Sequence, residues 1–231
     1  MEADPDATSE VPVIILLHGV HGSHWAWARS GKAHETLRSL VSTGEVAPFI
    51  LAMPSDGMWG VGSGYLDRPG EDSEGWIARE LPEVVHRVWP AASVDRVAIA
   101  GLSMGGWGAL RLAALYPGRF FAAAGMSPLT HVDRIAGYAG ASARAAHSTT
   151  SIDDPHLLDT LVDNRSDLPP LRVTCGIDDN LIESVRALHE DLVEQGIEHE
   201  YVESPGGHDW DHWSHELADV LRFIDASRPS S

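Results

Sequence analysis

Short apolar runs alternate with helical patterns along almost the whole of this 231-residue chain. Each run is apolar at successive positions, as expected for a strand that is buried on both faces of a sheet. The runs predict strands at residues 11–17, 48–53, 94–100, 120–126, 171–175 and 199–203. The segments between them predict helices at residues 30–43, 72–88, 103–116, 181–195 and 211–226. This alternation predicts an α/β fold with a mostly parallel sheet of about six strands and helices on both faces.

The composition is that of one packed globular domain. Hydrophobic residues make up 43% of the chain and charged residues 22%, which is typical of folded globular proteins. No apolar run approaches the roughly 18 residues that a membrane-spanning helix needs. We therefore expect a single domain over residues 1–231, in which residues 127–168 form a small cap-like insertion.

The charge balance excludes some classes of partner. The chain has 34 acidic and 16 basic residues, a net charge of −18, whereas nucleic-acid binding needs a basic surface. The charge therefore argues against nucleic acids and anionic membranes as partners. The sequence does not predict whether the protein is a monomer or an oligomer. The acidic N-terminus lacks the apolar stretch of a signal peptide, so a cytoplasmic location is expected, although a secreted protein whose signal had been removed would show the same sequence.

A glycine-rich serine motif follows the third predicted strand and opens a helix. It reads Gly101-Leu102-Ser103-Met104-Gly105, which is G-x-S-x-G. In a strand–turn–helix setting this motif lifts the serine hydroxyl clear of the sheet and places it at the helix N-terminus. A turn with an idle serine is the other interpretation of the motif alone, but the flanking strand and helix favour Ser103 as a nucleophile.

A serine nucleophile needs a general base and an orienting acid, which follow it in the order acid and then histidine in this kind of fold. His208 follows the sixth predicted strand in a loop with two preceding glycines, and we predict that it is the base. Asp178 and Asp179 follow the fifth strand. Either can be the acid, because one of them can instead cap the next helix.

Two backbone N–H groups are predicted to bind the oxyanion. One belongs to Met104, the residue after the nucleophile, and the other comes from the loop after the first strand. That loop is H-G-V-H-G at 18–22. We predict the N–H of Val20, because Gly19 lets the chain turn sharply just before it.

Together these segments resemble an α/β-hydrolase of the Putative esterase family, the group of esterase D, S-formylglutathione hydrolases, tributyrin and feruloyl esterases, and mycolyltransferases. The matching stretches are L-L-H-G-x-x-G at 16–22, M-P-S-D-G-x-W at 53–59, E-L-P-x-V at 80–84, G-L-S-M-G-G-W-G-A-L at 101–110, C-G-I-D-D-N-L at 175–181 and P-G-G-H-D-W-x-x-W at 205–213. They cover most of residues 11–225 in the family's order. The family's pattern places the acid on Asp179 and the second oxyanion donor on Val20.

The sequence departs from the family in two places. Family members usually carry antiparallel strands ahead of the H-G strand, whereas only ten residues precede it here, so we expect a shorter sheet without those leading strands. The cysteine-bearing loop of S-formylglutathione hydrolases is also not found, which argues against that activity. The one cysteine, Cys175, excludes an intrachain disulfide and is expected to be a small buried hydrophobe.

Aromatic residues fall on loops and turns near the predicted active edge. Three of them are predicted to contact the substrate: Trp59, Trp107 and Tyr65. Trp25 and Trp27 could also line a pocket, but packing of the loops onto the sheet explains their positions equally well or better. Two more are expected to support the loop of the predicted base: Trp210 and Trp213.

The resemblance and the residues together predict a serine carboxylesterase that acts on short-chain acyl or acylated-sugar esters through an acyl-enzyme. Its partner would be a small-molecule ester, and no cofactor is expected. The resemblance also allows transfer of the acyl group to a sugar hydroxyl.

Two interpretations of a different class remain as alternatives. The histidines of the 208–215 tract and of the 18–24 loop are ligand types that zinc prefers, which suggests a metal-dependent hydrolase. The glycines before His208 place it in a loop, however, so no metal site is predicted, and His212 and His215 are expected to be solvated helix residues. A non-catalytic binding module would not need a serine, an acid and a histidine at three separate strand ends.

Overall fold

A computed structural model describes residues 10–58, 62–135 and 156–229. Within these ranges, six strands form one sheet in the order β2-β1-β3-β4-β5-β6, and every neighbouring pair is parallel. The strands are β1 Val11–Leu17, β2 Ile50–Ala52, β3 Ala92–Leu102, β4 Phe120–Met126, β5 Leu171–Gly176 and β6 Glu200–Ser204. The predicted α/β fold with a parallel sheet is confirmed.

Helices connect the strands and cover both faces of the sheet. They are α1 Ala26–Arg29, α2 Ala33–Ser42, α3 Ser73–Gly75, α4 Leu81–Val88, α5 Met104–Leu115, α6 Leu157–Asp163, α7 Ile182–Glu194 and α8 Trp210–Ala226. A 3₁₀ turn, Arg165–Asp167, follows α6. The helix predicted at residues 30–43 is found as α2, which begins only after Lys32 because that residue adopts a left-handed conformation with φ of 47°. The short α1 lies ahead of the predicted range.

The helix predicted at residues 72–88 contains one π-helical turn, Trp76–Glu80, between α3 and α4. Pro82 lies in the first turn of α4 and has no N–H to donate to the carbonyl of Ala78. That carbonyl accepts instead from Nε of Arg119, at 2.6 Å. The irregular turn therefore lies just ahead of a proline that cannot complete the helical hydrogen bonding, and a side chain satisfies the orphan carbonyl.

The core has one layer on each face of the sheet. Along β1, Val13, Ile15 and Leu17 point into one layer and Ile14 and Leu16 into the other, and all five are at most 1% exposed. Helices α4 to α7 contribute to the first layer, and α2 and α8 to the second. Burial on both faces is the physical reason that β1 is apolar at every position rather than at alternate ones.

The strand order changes direction between β1 and β3. After β1 the chain adds β2 on one side, and β3 then pairs with β1 on the other side. Such a reversal opens a crevice beyond the carboxyl ends of the two strands, where open parallel sheets bind their ligands. The loops that follow Leu17 and Leu102 border this crevice.

The cap-like insertion predicted at residues 127–168 lies partly outside the described residues, which stop at 135 and resume at 156. At the two margins, His131 and His156 form an isolated antiparallel bridge. Among the described helices, none is both long enough and apolar enough to cross a membrane.

Candidate active site

The predicted serine motif forms a strained turn between β3 and α5. Ser103 is the residue between the two elements, with φ of 54° and ψ of −117°, a conformation that costs a non-glycine residue about 1–3 kcal/mol. A Cβ on Gly101 would lie 2.3 Å from the carbonyl oxygen of Gly105, and a Cβ on Gly105 would lie 2.3 Å from that of Leu17. Glycine is therefore required on both sides of the serine, as the sequence predicts.

Three side chains from three strand ends meet beside this turn. Nε2 of His208 lies 3.0 Å from Oγ of Ser103. Nδ1 of His208 lies 2.9 Å from Oδ2 and 3.1 Å from Oδ1 of Asp179. The structure brings Asp179 to the histidine, whereas Asp178 is exposed. This is the geometry of a nucleophile, a base and an orienting acid.

Asp179 is held ionised although it is only 2% exposed. Burial alone would raise the pKa of its carboxyl group. Hydrogen bonds from His208, from the N–H of Leu181 and from the hydroxyl of Ser127 outweigh that effect and lower the pKa. The bond from Leu181 is 2.8 Å long and reaches Oδ1. An ionised carboxylate at this position can accept from Nδ1–H and stabilise a protonated imidazole.

The loops after β5 and β6 lie against each other, and this contact sets Asp179 beside His208. A Cβ on Gly176 would lie 2.2 Å from the carbonyl oxygen of Gly206, and the same oxygen accepts from the N–H of Asp178 at 3.0 Å. Asp209 then begins α8 by accepting from the N–H of His212 at 3.0 Å. The glycines of the two loops thus permit the close backbone approach on which the acid–histidine pair depends.

Met104 directly follows Ser103, and both Met104 and Val20 lie close to Gly62. A Cβ on Gly62 would lie 2.9 Å from Sδ of Met104 and 3.3 Å from Cα of Val20. Among the described residues, no acceptor is bonded to the backbone N–H of either Val20 or Met104. These two N–H groups are therefore available to a substrate oxygen near Ser103.

A buried histidine fixes the peptide that carries the Val20 N–H. Nδ1 of His18 lies 2.8 Å from the carbonyl oxygen of Gly19, and Nε2 lies 3.2 Å from the N–H of Asp56. Burial lowers the pKa of His18, so the ring is neutral, with its proton on Nδ1. Because the peptide between Gly19 and Val20 is planar, holding its carbonyl also sets the direction of its N–H.

A pocket of about 240 Å³ opens beside the serine and the histidine. Three tryptophans form much of its wall: Trp25, Trp210 and Trp213. The remaining lining comes from the loop after β1, from Ala26 and Leu102, and from Ser103 and His208 themselves. The pocket is thus mostly apolar, with the reactive groups at one side, as is usual for small-molecule sites.

Comparisons with known proteins identify this architecture. A sequence model of the family described as Putative esterase matches residues 4–224. The chain belongs to this family. An acetyl esterase of Caldicellulosiruptor saccharolyticus is 30% identical over 240 residues, which cover 95% of this chain and 85% of that protein.

Solved structures agree with the family assignment. A ferulic acid esterase superposes with a TM-score of 0.82 at 26% identity, covering 96% of this chain and 87% of the other. A fluorophosphonate-binding serine hydrolase of Staphylococcus aureus superposes with a TM-score of 0.79 at 21% identity, covering 96% and 87%, and so shares the fold. The molecule is a serine carboxylic ester hydrolase with the α/β-hydrolase fold.

Two of the aromatic residues predicted to bind substrate do not line the pocket of this esterase. Trp107 is 0% exposed and Tyr65 is 1% exposed. Trp107 lies on α5, which is buried along nearly all its length, and the hydroxyl of Tyr65 donates to the carbonyl of His18 at 3.0 Å. Both predictions are wrong, because these rings pack in the core beneath the site. The third residue, Trp59, lies outside the described residues.

The histidines considered as metal ligands do not converge in the described part of the esterase. Both ring nitrogens of His208 face Ser103 and Asp179. His212 is 3% exposed, which contradicts its prediction as a solvated residue, and its Nδ1 lies 3.3 Å from the carbonyl of Pro205. His215 is exposed, as predicted. Among the described residues, no group of three or more His, Cys, Asp or Glu side chains is arranged to hold a metal ion.

The sequence reasoning missed residues that support the esterase site from behind. The polar ones are His18, Asp56 and Ser127. For Trp25 packing was an equal or better explanation, and Trp210 and Trp213 were expected to support the loop of His208, yet all three form the pocket wall. His18 had a signal, because it precedes the glycine of the predicted oxyanion loop. Ser127 had only its position directly after the fourth predicted strand.

Proposed function

We propose that this esterase hydrolyses short-chain acyl or acylated-sugar esters through an acyl-enzyme formed on Ser103. The observation that carries the proposal is the pair of hydrogen bonds made by one imidazole, 3.0 Å to the Ser103 hydroxyl and 2.9 Å to the Asp179 carboxylate. A serine hydroxyl is a poor nucleophile without an adjacent base. This arrangement supplies the base and its orienting acid together.

In the first half of the reaction, Oγ of Ser103 attacks the ester carbonyl carbon while Nε2 of His208 takes the hydroxyl proton. The carbonyl oxygen becomes an oxyanion, which the N–H groups of Val20 and Met104 stabilise. The tetrahedral intermediate then expels the alcohol, to which His208 returns the proton. Asp179 stays ionised and stabilises the imidazolium that forms in between.

In the second half, water replaces the alcohol. His208 removes a proton from the water, whose oxygen attacks the acyl carbon of the ester on Ser103. The same two backbone N–H groups bind the second oxyanion. Collapse of that intermediate releases the acid and returns the proton to Ser103. The ester and one water molecule, with the groups of the chain, are sufficient to balance these steps.

The size and lining of the pocket favour a substrate with a small acyl or aromatic group. Its volume of about 240 Å³ and its tryptophan wall suit an acetyl group or one aromatic ring better than a long alkyl chain. The relatives named acetyl esterase and ferulic acid esterase act, by their names, on esters of these two kinds. We infer that the natural substrate carries one of them on a small molecule such as a sugar.

A turnover screen tests the proposal. It compares p-nitrophenyl esters of graded chain length with acetylated and feruloylated saccharides, and product analysis separates hydrolysis from transfer to a sugar hydroxyl. We expect activity that persists in a chelator and falls by several orders of magnitude in Ser103→Ala. Activity lost to the chelator and restored by zinc, or near wild-type turnover in Ser103→Ala, would overturn the proposal.

A further inference from the structure

One polar side chain in the lining of the pocket has no part in the proposed reaction. Apart from Ser103 and His208, the described lining consists of three tryptophans, small or apolar residues, and His21. No Asp, Glu, Lys or Arg is among these described lining residues, so the pocket offers no permanently charged partner to an ionic group. An indole can only donate a hydrogen bond, whereas an imidazole can also accept one. His21 is therefore suited to bind a polar group of the substrate that the reaction itself does not use.

A short turn fixes His21 next to the proposed oxyanion donor. The N–H of Gly22 donates to the carbonyl of Gly19 at 2.9 Å, so Val20 and His21 are the two central residues of a four-residue turn. Nδ1 of His18 lies 2.8 Å from the same carbonyl oxygen. Because the turn is held at this carbonyl, the backbone of His21 stays one residue away from the N–H group that would bind the carbonyl oxygen of the ester.

The His21 imidazole is exposed and available to a ligand. Within the part of the chain that the structure describes, neither ring nitrogen has a hydrogen-bond partner. A neutral imidazole has one donor and one acceptor nitrogen, and a hydroxyl group can both donate and accept. A neutral hydroxyl therefore suits this side chain in either of its tautomers.

The tryptophan wall of the same pocket suits the ring that would carry such a hydroxyl. Trp210 packs edge to face against both Trp27 and Trp213, with the ring centroids 5.4 and 5.6 Å apart. The indole N–H of Trp213 donates to Oγ of Ser127 at 3.2 Å, so it is already used within the protein. The wall thus offers apolar surface on which a ring can pack, and His21 offers the hydrogen bond.

We propose that His21 is a specificity-determining residue that binds a hydroxyl group of the ester substrate. The inference rests on the proposed function, because it assigns part of the substrate of that same site. The hydroxyl belongs either to an aromatic acyl group or to a sugar-like alcohol, beside the ester oxygen. Both present the same chemistry to the imidazole, and the experiment distinguishes them.

Two pairs of esters separate the two sources of the hydroxyl. Methyl p-coumarate and methyl cinnamate differ only in the phenolic hydroxyl of the acyl group. The monoacetate of a vicinal cyclohexanediol and cyclohexyl acetate differ only in a hydroxyl on the alcohol, beside the ester. For each pair, the ratio of kcat/KM for the hydroxylated ester to kcat/KM for its partner is measured. Because the intrinsic reactivity of the esters is the same for every variant, a change of this ratio on substitution reports the contact with the protein.

Two substitutions of His21 and one control measure that contact. His21→Phe keeps a planar ring but removes both nitrogens, so it should lower the ratio in at least one pair by about 2- to 10-fold, the usual value of one net hydrogen bond. His21→Gln keeps a donor and an acceptor, so its ratio should lie between those of wild type and His21→Phe. The pair that responds identifies the acyl group or the alcohol as the source of the hydroxyl.

His24→Phe is the matched control. His24 is an exposed histidine of the same loop, but it is not among the described residues that line the pocket. Its Nδ1 lies 3.2 Å from Oγ of Ser23. We expect His24→Phe to leave the ratio of kcat/KM unchanged in both pairs.

Binding to Ser103→Ala makes the test independent of turnover. Quenching of tryptophan fluorescence gives the Kd of each ester, and adding His21→Phe should lower the preference for the hydroxylated ester of the responding pair. If Ser103→Ala keeps its turnover, the proposed function fails, while the ratio of kcat/KM in His21→Phe still tests the hydrogen bond. Unchanged ratios in both pairs in His21→Phe, or an equal change in His24→Phe, would overturn the inference.

Discussion

Nε2 of His208 lies 3.0 Å from Oγ of Ser103, although 105 residues separate the two in the chain. The parallel sheet accounts for this proximity. Ser103 follows β3 and His208 follows β6, and the carboxyl ends of parallel strands lie along one edge of the sheet. The loop after β5 lies between them and contributes Asp179. The hydrogen bonds of His208 therefore link side chains from the ends of three strands, β3, β5 and β6.

The acid can be tested against its neighbour in the sequence. Asp179→Asn should lower turnover by about 10⁴, because an amide at this position favours the wrong histidine tautomer. Asp178→Asn should cost little, since the Asp178 side chain is exposed and only its backbone contacts the His208 loop. The two single variants are assayed side by side on one ester, with folding checked by circular dichroism.

Two results of that comparison would contradict the assignment of Asp179 as the acid. A large loss in Asp178→Asn with Asp179→Asn still active would reverse the assignment. Equal modest losses in both variants would mean that the orienting acid comes from another strand end.

His18 offers a test of the oxyanion loop. His18→Ala removes the bond to the Gly19 carbonyl and should lower kcat by about 10- to 100-fold, somewhat less than the loss of an oxyanion donor itself. His18→Asn keeps an N–H near that carbonyl but loses the acceptor for the Asp56 N–H, so its kcat should lie between those of wild type and His18→Ala. Equal losses of kcat in the two variants would contradict a role in setting the direction of the Val20 N–H.

The same histidine should make stability depend on pH. Its pKa is lowered in the folded state, so between the folded value and the ordinary value of about 6.5 the unfolded chain binds the extra proton. This contribution to the free energy of unfolding is fully present above about pH 6.5 and declines as the pH falls below it. Urea unfolding from about pH 8 to about pH 5 should show a smaller decline in His18→Asn than in wild type, and an equal decline would mean that other groups dominate this pH range.

The tryptophan wall of the pocket predicts a dependence on the substrate. Trp25 is 41% exposed and lines the pocket. Trp25→Ala should lower kcat/KM for methyl ferulate by about 2- to 10-fold, the typical value of one aromatic contact, and change that for p-nitrophenyl acetate less. Trp89, 57% exposed at the end of α4, is the matched control, and Trp89→Ala should leave both values unchanged. Equal losses of kcat/KM for both esters in Trp25→Ala would show that the Trp25 ring does not recognise the aromatic acyl group.

The sheet and the motif residues could be predicted because their signals are local. Continuous apolar runs mark strands buried on both faces, as along β1, and the tight turn at Ser103 requires glycine at fixed positions on either side. Asp179 and His208 follow strands that the same patterns locate. The order of such strands and the turn residues at their ends was sufficient to name Ser103 and His208, whereas the choice of Asp179 over Asp178 needed the resemblance to the family.

The pocket wall could not be predicted because it depends on contacts between distant segments. Trp25 and Trp210 line one pocket although they come from opposite ends of the chain, and the direction of Trp107 depends on which side of α5 faces the sheet. His212 was expected to be a solvated helix residue, yet a Cβ on Gly206 would lie 2.7 Å from its Nδ1. The folding of the His208 loop over the first turn of α8 buries it, and no periodicity in the sequence signals that contact.

The most direct test of the account is to trap the acyl-enzyme. The full chain is mixed with p-nitrophenyl acetate, quenched in acid during the first turnover and measured by intact mass, followed by peptide mapping. The acyl-enzyme mechanism predicts one added acetyl group per chain, located on Ser103, together with a burst of p-nitrophenol, and neither signal in Ser103→Ala. Steady turnover with no acetyl group on Ser103 at any quench time, or an acetyl group on another residue that turns over at the steady-state rate, would contradict it.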